Sequence, residues 1–115
     1  MGGKNDYLHW VLEHLSGAGG VSFRRMFGAF GLYRGDVFFG IISGDALFFK
    51  VSAASRGDYE SRGMARFRPY RDKPQVSMNY YEVPADVLED ADECVRWAMR
   101  AVAAGAASKK KSSKR

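Results

Sequence analysis

Two turn signals, Arg34-Gly35-Asp36 and Ser43-Gly44-Asp45, do most to limit what this chain can become. Each has the composition of a short hairpin loop, and each stands between runs rich in aromatic and β-branched residues. Loops that short join antiparallel neighbours. They predict strands over 30–34, 37–42 and 46–51, with another over 22–27 ahead of them. Arg24-Arg25-Met26-Phe27-Gly28-Ala29-Phe30-Gly31-Leu32-Tyr33 spans the first two. Two arginines lead there into aromatics interrupted by two glycines. Aromatic residues suit a pleated, half-buried surface, and glycine in such a run marks a bulge, a bend or a close approach by another backbone. The expectation is a strand entering at Ser22, a distortion at Gly28 to Gly31, and a second strand leaving through Leu32 and Tyr33. A phosphate loop is the competing reading, yet neither G-x-G-x-x-G nor G-x-x-x-x-G-K-[ST] is present. Ala29 and Phe30 also bring no charge to a G-x-x-G clamp on a nucleic-acid backbone.

The third strand, Val37-Phe38-Phe39-Gly40-Ile41-Ile42, is apolar on both faces. One face can pack on helices; a dimer partner, a further domain, a ligand or the chain's own loops must cover the other. Before the sheet, Asn5 or Asp6 can cap a helix to about Leu15, with Tyr7, Val11 and Leu15 in one stripe beside Leu8 and Leu12. Gly17 to Gly20 ends it. After the hairpins, Ser52 is placed to cap a short helix from Ala53 to Arg62, stopped by Gly63. Arg66 to Arg71 and Val76 to Tyr81 then predict a strand pair around Asp72-Lys73-Pro74, with Pro69 confining the first to an edge or bulge. Arg66, Arg68 and Tyr70 would share one face, as would Val76, Met78 and Tyr80. Val83-Pro84 stops the second strand. A last helix starts near Asp90, where Asp90 and Glu93 fit a relaxed capping box, and Cys94, Trp97, Ala98, Ala101 and Val102 form its apolar face. The expected class is α+β: two layers, with helices on one face of a mainly antiparallel sheet.

At 115 residues the chain makes one small domain, residues 1–107, followed by a disordered basic tail over 108–115. An apolar content of 46% is ample for a core. The net charge of +5 belongs to the tail: removing Lys109, Lys110, Lys111, Lys114 and Arg115 from the 18 basic residues leaves 13, equal to the 13 acidic ones. No apolar run approaches membrane-spanning length. The N-terminal residues lack a signal-peptide core, and Asp6 breaks the myristoylation pattern. One cysteine, Cys94, excludes an internal disulfide framework. These features predict a cytoplasmic protein away from membranes.

Catalysis is hard to assemble from these residues. No serine–histidine–acid or cysteine–histidine spacing fits a known motif, and no ligand cluster has metal spacing. His9 and His14 point about 140° apart on their helix, too far to share a metal. Neither a cofactor nor a metal is expected; an enzyme would need a cleft around a buried, perturbed His9 or Cys94. Binding has better material. Arg24, Arg25, Arg66, Arg68 and Arg71, with Tyr70 and Tyr81, can form a strand-borne surface that holds phosphates and stacks bases, although solvated arginines are the ordinary alternative. The tail lysines and Arg115 would bind polyanions without sequence preference, or serve solubility alone.

Arg24 to Tyr33 resembles the signature of the TfoX/Sxy family in its N-terminal domain, with Arg24, Arg25, Met26, Phe27, Gly28, Gly31 and Tyr33 on the motif. Further matches follow in order: Phe38 to Ile42, then Leu47-Phe48-Phe49-Lys50-Val51, then Arg56 with Tyr59-Glu60 and Gly63, then Ser77-Met78-Asn79-Tyr80-Tyr81-Glu82-Val83-Pro84. The resemblance runs from about Tyr7 to Ala104. It implies a two-layer fold related to secretion-chaperone-like domains. It also implies kinship with regulators of competence genes, which are thought to act as transcriptional co-activators with the cyclic-AMP receptor protein. Full members add a helical, DNA-binding-like second domain, so this sequence looks like a stand-alone N-terminal domain with a basic tail. The family motif implies no catalytic residue. The expected function is a non-enzymatic regulatory module. Its expected partners are a protein, transcription machinery included, a second copy of the chain, or nucleic acid held non-specifically; a small-ligand sensor with a pocket near Gly28 is the alternative.

Overall fold

The computed structural model describes residues 4–26, 28–69 and 78–112. In chain order the elements are helix α1 (Lys4–His14), strands β1 (Val21–Met26), β2 (Ala29–Arg34), β3 (Val37–Ser43) and β4 (Ala46–Lys50), helix α2 (Arg56–Glu60), strand β5 (Tyr80–Glu82), and helices α3 (Ala85–Glu89) and α4 (Ala91–Ser112). A 3-10 turn at Ser16–Ala18 links α1 to the sheet. The five strands form one antiparallel sheet in the order β1-β2-β3-β4-β5. This is the α+β, helix-on-sheet architecture expected.

Local chemistry explains most of these elements. Leu8, Val11 and Leu15 recur at helical spacing and are buried. The α1 helix starts ahead of the expected cap, so Asp6 lies inside its first turn, where a carboxylate favours the helix dipole. Gly35 and Gly44 have φ of 64° and 63°, and the pairs Arg34↔Val37 and Ser43↔Ala46 close two-residue hairpins around them. Asp90 Oδ1 accepts from the Glu93 amide at 3.2 Å, starting α4 at the expected residue.

Four expectations are corrected. The distortion foreseen at Gly28 to Gly31 is instead a tight hairpin: Met26 pairs with Ala29, and Gly28 turns the chain at φ 75°. The irregularity of this sheet lies further on. Leu32 pairs with Gly40 and Tyr33 with Phe38, which leaves Phe39 as an extra residue in β3. That bulge puts Phe39 and Gly40 on one face and Phe38 on the other.

Ser52 does not cap a helix running from Ala53 to Arg62. Its carbonyl accepts from the Ser55 and Arg56 amides at 3.1 and 2.9 Å, and its own amide donates to Ser55 Oγ at 3.0 Å. These bonds close a separate turn, and α2 follows as a single short helix ending before Gly63. Within the described residues, the strand pair expected at 66–71 and 76–81 is present as the bridge Arg66↔Tyr81, the three-residue β5, and bonds from the Phe67 amide to the Tyr80 carbonyl at 2.8 Å and from the Met78 amide to the Phe67 carbonyl at 2.9 Å. The Tyr80 amide also turns back to the Met78 carbonyl at 2.8 Å, which makes the pairing irregular at that point. Tyr70, Arg71, the Asp72-Lys73-Pro74 turn and Val76 lie outside the described residues. Finally, helix α3 was not foreseen, and α4 continues past Ser108 to Ser112, with helical backbone in part of the stretch expected to be disordered.

Two apolar clusters sit on the two sides of the sheet. On the helix face, Leu32, Phe39, Ile42 and Phe49 pack with Leu8, Val11 and Leu15, with Val87 of α3 and with Cys94, Trp97 and Ala98 of α4. On the back face, Ile41 and Tyr80 are buried with Phe38, Phe48, Phe67 and Met78 around them. The second apolar face of β3 is thus covered by side chains of this chain. Among the described residues, no helix is long and apolar enough to cross a membrane.

Candidate functional site

Helix α4 packs against β3 and β4, while β1 stands at the far end of the strand order. From Ser22 to Arg25 this edge strand is exposed, and Phe23 keeps 41% of its surface in solvent. Its register on β2 assigns each side chain to a face. Phe23 lies opposite Leu32 and Arg25 opposite Phe30, on the helix face; Arg24 lies opposite Gly31 and Met26 opposite Ala29, on the back face. Adjacent strand residues point to opposite sides, so Arg24 and Arg25 straddle the edge.

Each guanidinium rests on a ring. Arg24 sits 4.9 Å from the Tyr33 centroid and Arg25 5.4 Å from that of Phe30, while Phe23 meets Phe30 edge-on at 5.7 Å. On the back face Tyr33 stacks on Phe38 at 5.1 Å, Phe38 meets Tyr80 at 5.4 Å, and Lys50 caps Tyr80 at 5.1 Å. A cation therefore stands at each end of a row of three aromatic rings. Gly31 is the floor beneath it: a Cβ there would lie 2.7 Å from Met26 Sδ and 3.0 Å from a Phe38 ring carbon. Arg24, Met26, Gly31 and Tyr33 of the sequence motif thus meet on one face of the β1–β2 hairpin, and Gly28 turns it. Phe27 lies outside the described residues.

The other candidate cations do not join this surface. Arg66 pairs with β5, with all of β2 to β5 between it and β1, and its guanidinium lies 5.6 Å from the Tyr81 ring. Arg68 donates to the Arg66 carbonyl at 3.3 Å. The arginine surface read from the sequence is divided between two sheet edges. Tyr81 itself faces inward and donates to Glu60 Oε2 at 2.6 Å. Lys109, Lys110 and Lys111 fall on the last turns of α4; Lys114 and Arg115 lie outside the described residues.

Ion pairing separates the β1 arginines from Arg56, Arg62, Arg96 and Arg100. Arg62 grips both oxygens of Asp86 at 2.9 and 2.7 Å, which holds that carboxyl below the usual range. Arg100 reaches Asp58 at 2.6 Å, Arg56 lies 3.8 Å from Glu60, and Arg96 pairs with Glu93. Arg34, at the end of β2, donates through Nε to the Ala18 and Gly19 carbonyls. Among the described residues, Arg24 and Arg25 have no carboxylate partner.

The groups an enzyme would need are arranged otherwise. His9 is exposed on α1. Cys94 is buried, and burial pushes its thiol up to about 11, which keeps it protonated and a poor nucleophile near neutrality. Among the described residues, no group of three His, Cys, Asp or Glu side chains could hold a metal. A cleft of about 400 Å³ lies where α1 ends and α4 begins, lined by Trp10, Glu13, His14, Gly17, Asp92 and Val95. Trp10 stacks on His14 at 4.4 Å beside it. This cleft is not lined by Gly28, where the ligand pocket was expected.

Sequence reasoning missed Phe23 and the edge position of β1. The alternation Val21, Phe23, Arg25 against Ser22, Arg24, Met26 was the available signal for faces; strand order had none. A family model described as the TfoX N-terminal domain matches residues 13–105. No curated protein matches the chain.

Proposed function

Because this chain belongs to the TfoX N-terminal domain family, we propose that it is a cytoplasmic regulatory interaction module that docks a protein partner along strand β1 and catalyses no reaction. One observation carries the reading. Among the described residues, the β1 edge presents an exposed aromatic and two arginines without carboxylates, while Arg56, Arg62, Arg96 and Arg100 all have them. Solvated, unpaired charge beside an exposed ring is the raw material of an interface, where arginine and aromatic residues are enriched. Kinship with competence regulators points to transcription machinery as the partner's class.

Site-specific photo-crosslinking tests this. With a photoreactive phenylalanine at position 23, a partner adduct is expected in cells, and the same group at exposed Met99 of α4 should give none. Equal labelling at both positions, or none at position 23, removes β1 as the docking surface.

Nucleic-acid affinity from the basic C-terminal residues accompanies this reading. Lys109 to Lys111 lie on the continuation of α4 beyond the buried Gly105. Removing residues 108–115 should lower the log–log salt slope of DNA binding by at most about 4.5. If the shortened chain still binds DNA equally well, the tail is not the source.

A further inference from the structure

The partner's chemistry at β1 follows from how that edge is built, given the docking reading above. Met26↔Ala29 closes a two-residue hairpin, and such hairpins close on a hydrogen-bonded pair. Alternation along the ladder then sends the N–H and C=O groups of Ser22, Arg24 and Met26 toward β2. Those of Val21, Phe23 and Arg25 point outward, where among the described residues the sheet has no further strand. The edge thus offers three residues of unused backbone pairing, an exposed Phe23, and one arginine on either side.

That last feature selects the ligand. A small anion or a nucleic-acid backbone laid on either face meets one arginine and not the other. A peptide strand added to the edge meets both, because its own consecutive side chains alternate between the same two faces. Arginines on a free edge oppose pairing with an identical edge, and they attract a strand of opposite charge.

We propose that β1 receives an extended acidic segment of a protein partner by antiparallel strand addition. Two consecutive carboxylate side chains reach Arg25 and Arg24 on opposite faces, and an apolar side chain follows beside Phe23. Antiparallel pairing orders the segment as acidic, acidic, apolar, polar, apolar, facing Arg25, Arg24, Phe23, Ser22 and Val21 in turn.

The test uses the full chain and a fluorescent peptide with the core Glu-Glu-Val-Thr-Val, followed by anisotropy at low salt. Binding is expected, with Arg24→Glu and Arg25→Glu each weakening it by about tenfold or more, and Arg96→Glu on α4 leaving it unchanged. N-methylation of the first valine, whose N–H would point at Phe23, should weaken binding by a similar factor. N-methylation of the second glutamate, whose N–H would point away, should not. The methylated peptides meet the native chain, so their outcome does not depend on how the variants fold. Equal binding of both methylated peptides, or of a Lys-Lys counterpart, overturns strand addition. Absence of binding at concentrations on the order of millimolar overturns it as well. So does a sedimentation profile showing β1 occupied by a second copy, or loss of duplex DNA binding in the Arg24 and Arg25 variants without any peptide binding. If the peptide fails while the position-23 crosslink still forms, the docking surface stands and the acidic-strand partner falls.

Discussion

Helix α4 crosses the start of β3 at Gly105, and replacing that glycine by alanine sets two effects against each other. A Cβ there would lie 2.6 Å from the Phe38 carbonyl oxygen and 2.9 Å from Val37 Cγ1. The first contact is with backbone held in the β2–β3–β4 ladder, which cannot swing aside as a side chain would. Helix α4 must therefore retreat, loosening Ala98, Ala101 and Ala104 on the same face. Such overpacking costs about 1–3 kcal/mol. Alanine in place of glycine inside a helix returns about 1 kcal/mol. The net expectation for Gly105→Ala is destabilisation of about 1 kcal/mol, a fall in Tm of about 3–6 °C for a domain of this size. Gly57 in α2 is the internal control, since a Cβ there meets nothing within 4 Å. Gly57→Ala should stabilise by about 0.5–1 kcal/mol. Urea unfolding and calorimetry of both variants give the answer. Opposite signs support the packing; a Gly105→Ala variant that gains stability alongside Gly57→Ala shows that helix propensity decides and that α4 does not lie so close to Phe38.

Two further outcomes follow from buried polar groups. Tyr81→Phe removes the hydrogen bond to Glu60 without opening a cavity; because Glu60 is exposed, the loss should be about 1 kcal/mol, read as a lower urea midpoint with unchanged slope, and no loss would mean water replaces the bond. Alkaline pH should also unfold the domain. Burial pushes Cys94 from 9.0 to about 11 and Tyr7 from 10.0 to about 12, and raises Tyr59 and Tyr80 as well. A raised value favours the protonated form in the fold, so this stability is complete below the unfolded-state values and is lost as pH climbs from about 9 toward 12. Cys94→Ala should flatten the early part of that decline, and an unchanged profile would exclude the thiol as a contributor.

Much of the architecture was legible because it is local. Helical spacing marked Leu8, Val11 and Leu15, glycine placed the hairpins at Gly35 and Gly44, and a carboxylate three residues ahead of Glu93 started α4. Where local signals competed, reading failed: Ser52 and Ser55 bond to one another rather than capping a helix, and Met78 to Tyr80 turns where a strand was expected. The candidate site was legible only in part. Arg24 and Arg25 were visible as neighbours, but grouping them with Arg66 and Arg68 required a surface that strand order denies.

Composition and local pattern by themselves determined the class of fold, the number of early strands, their antiparallel pairing and the apolar faces of the two long helices. Each of these depends on residues within a few positions of one another. Tertiary structure alone decided that β1 stands at the end of the strand order among the described residues, that Phe39 is the extra residue of a bulge, that Gly105 meets the Phe38 carbonyl, and that the arginines divide between two edges. Those outcomes depend on which distant segments become neighbours, and a strand carries no mark of its place in a sheet.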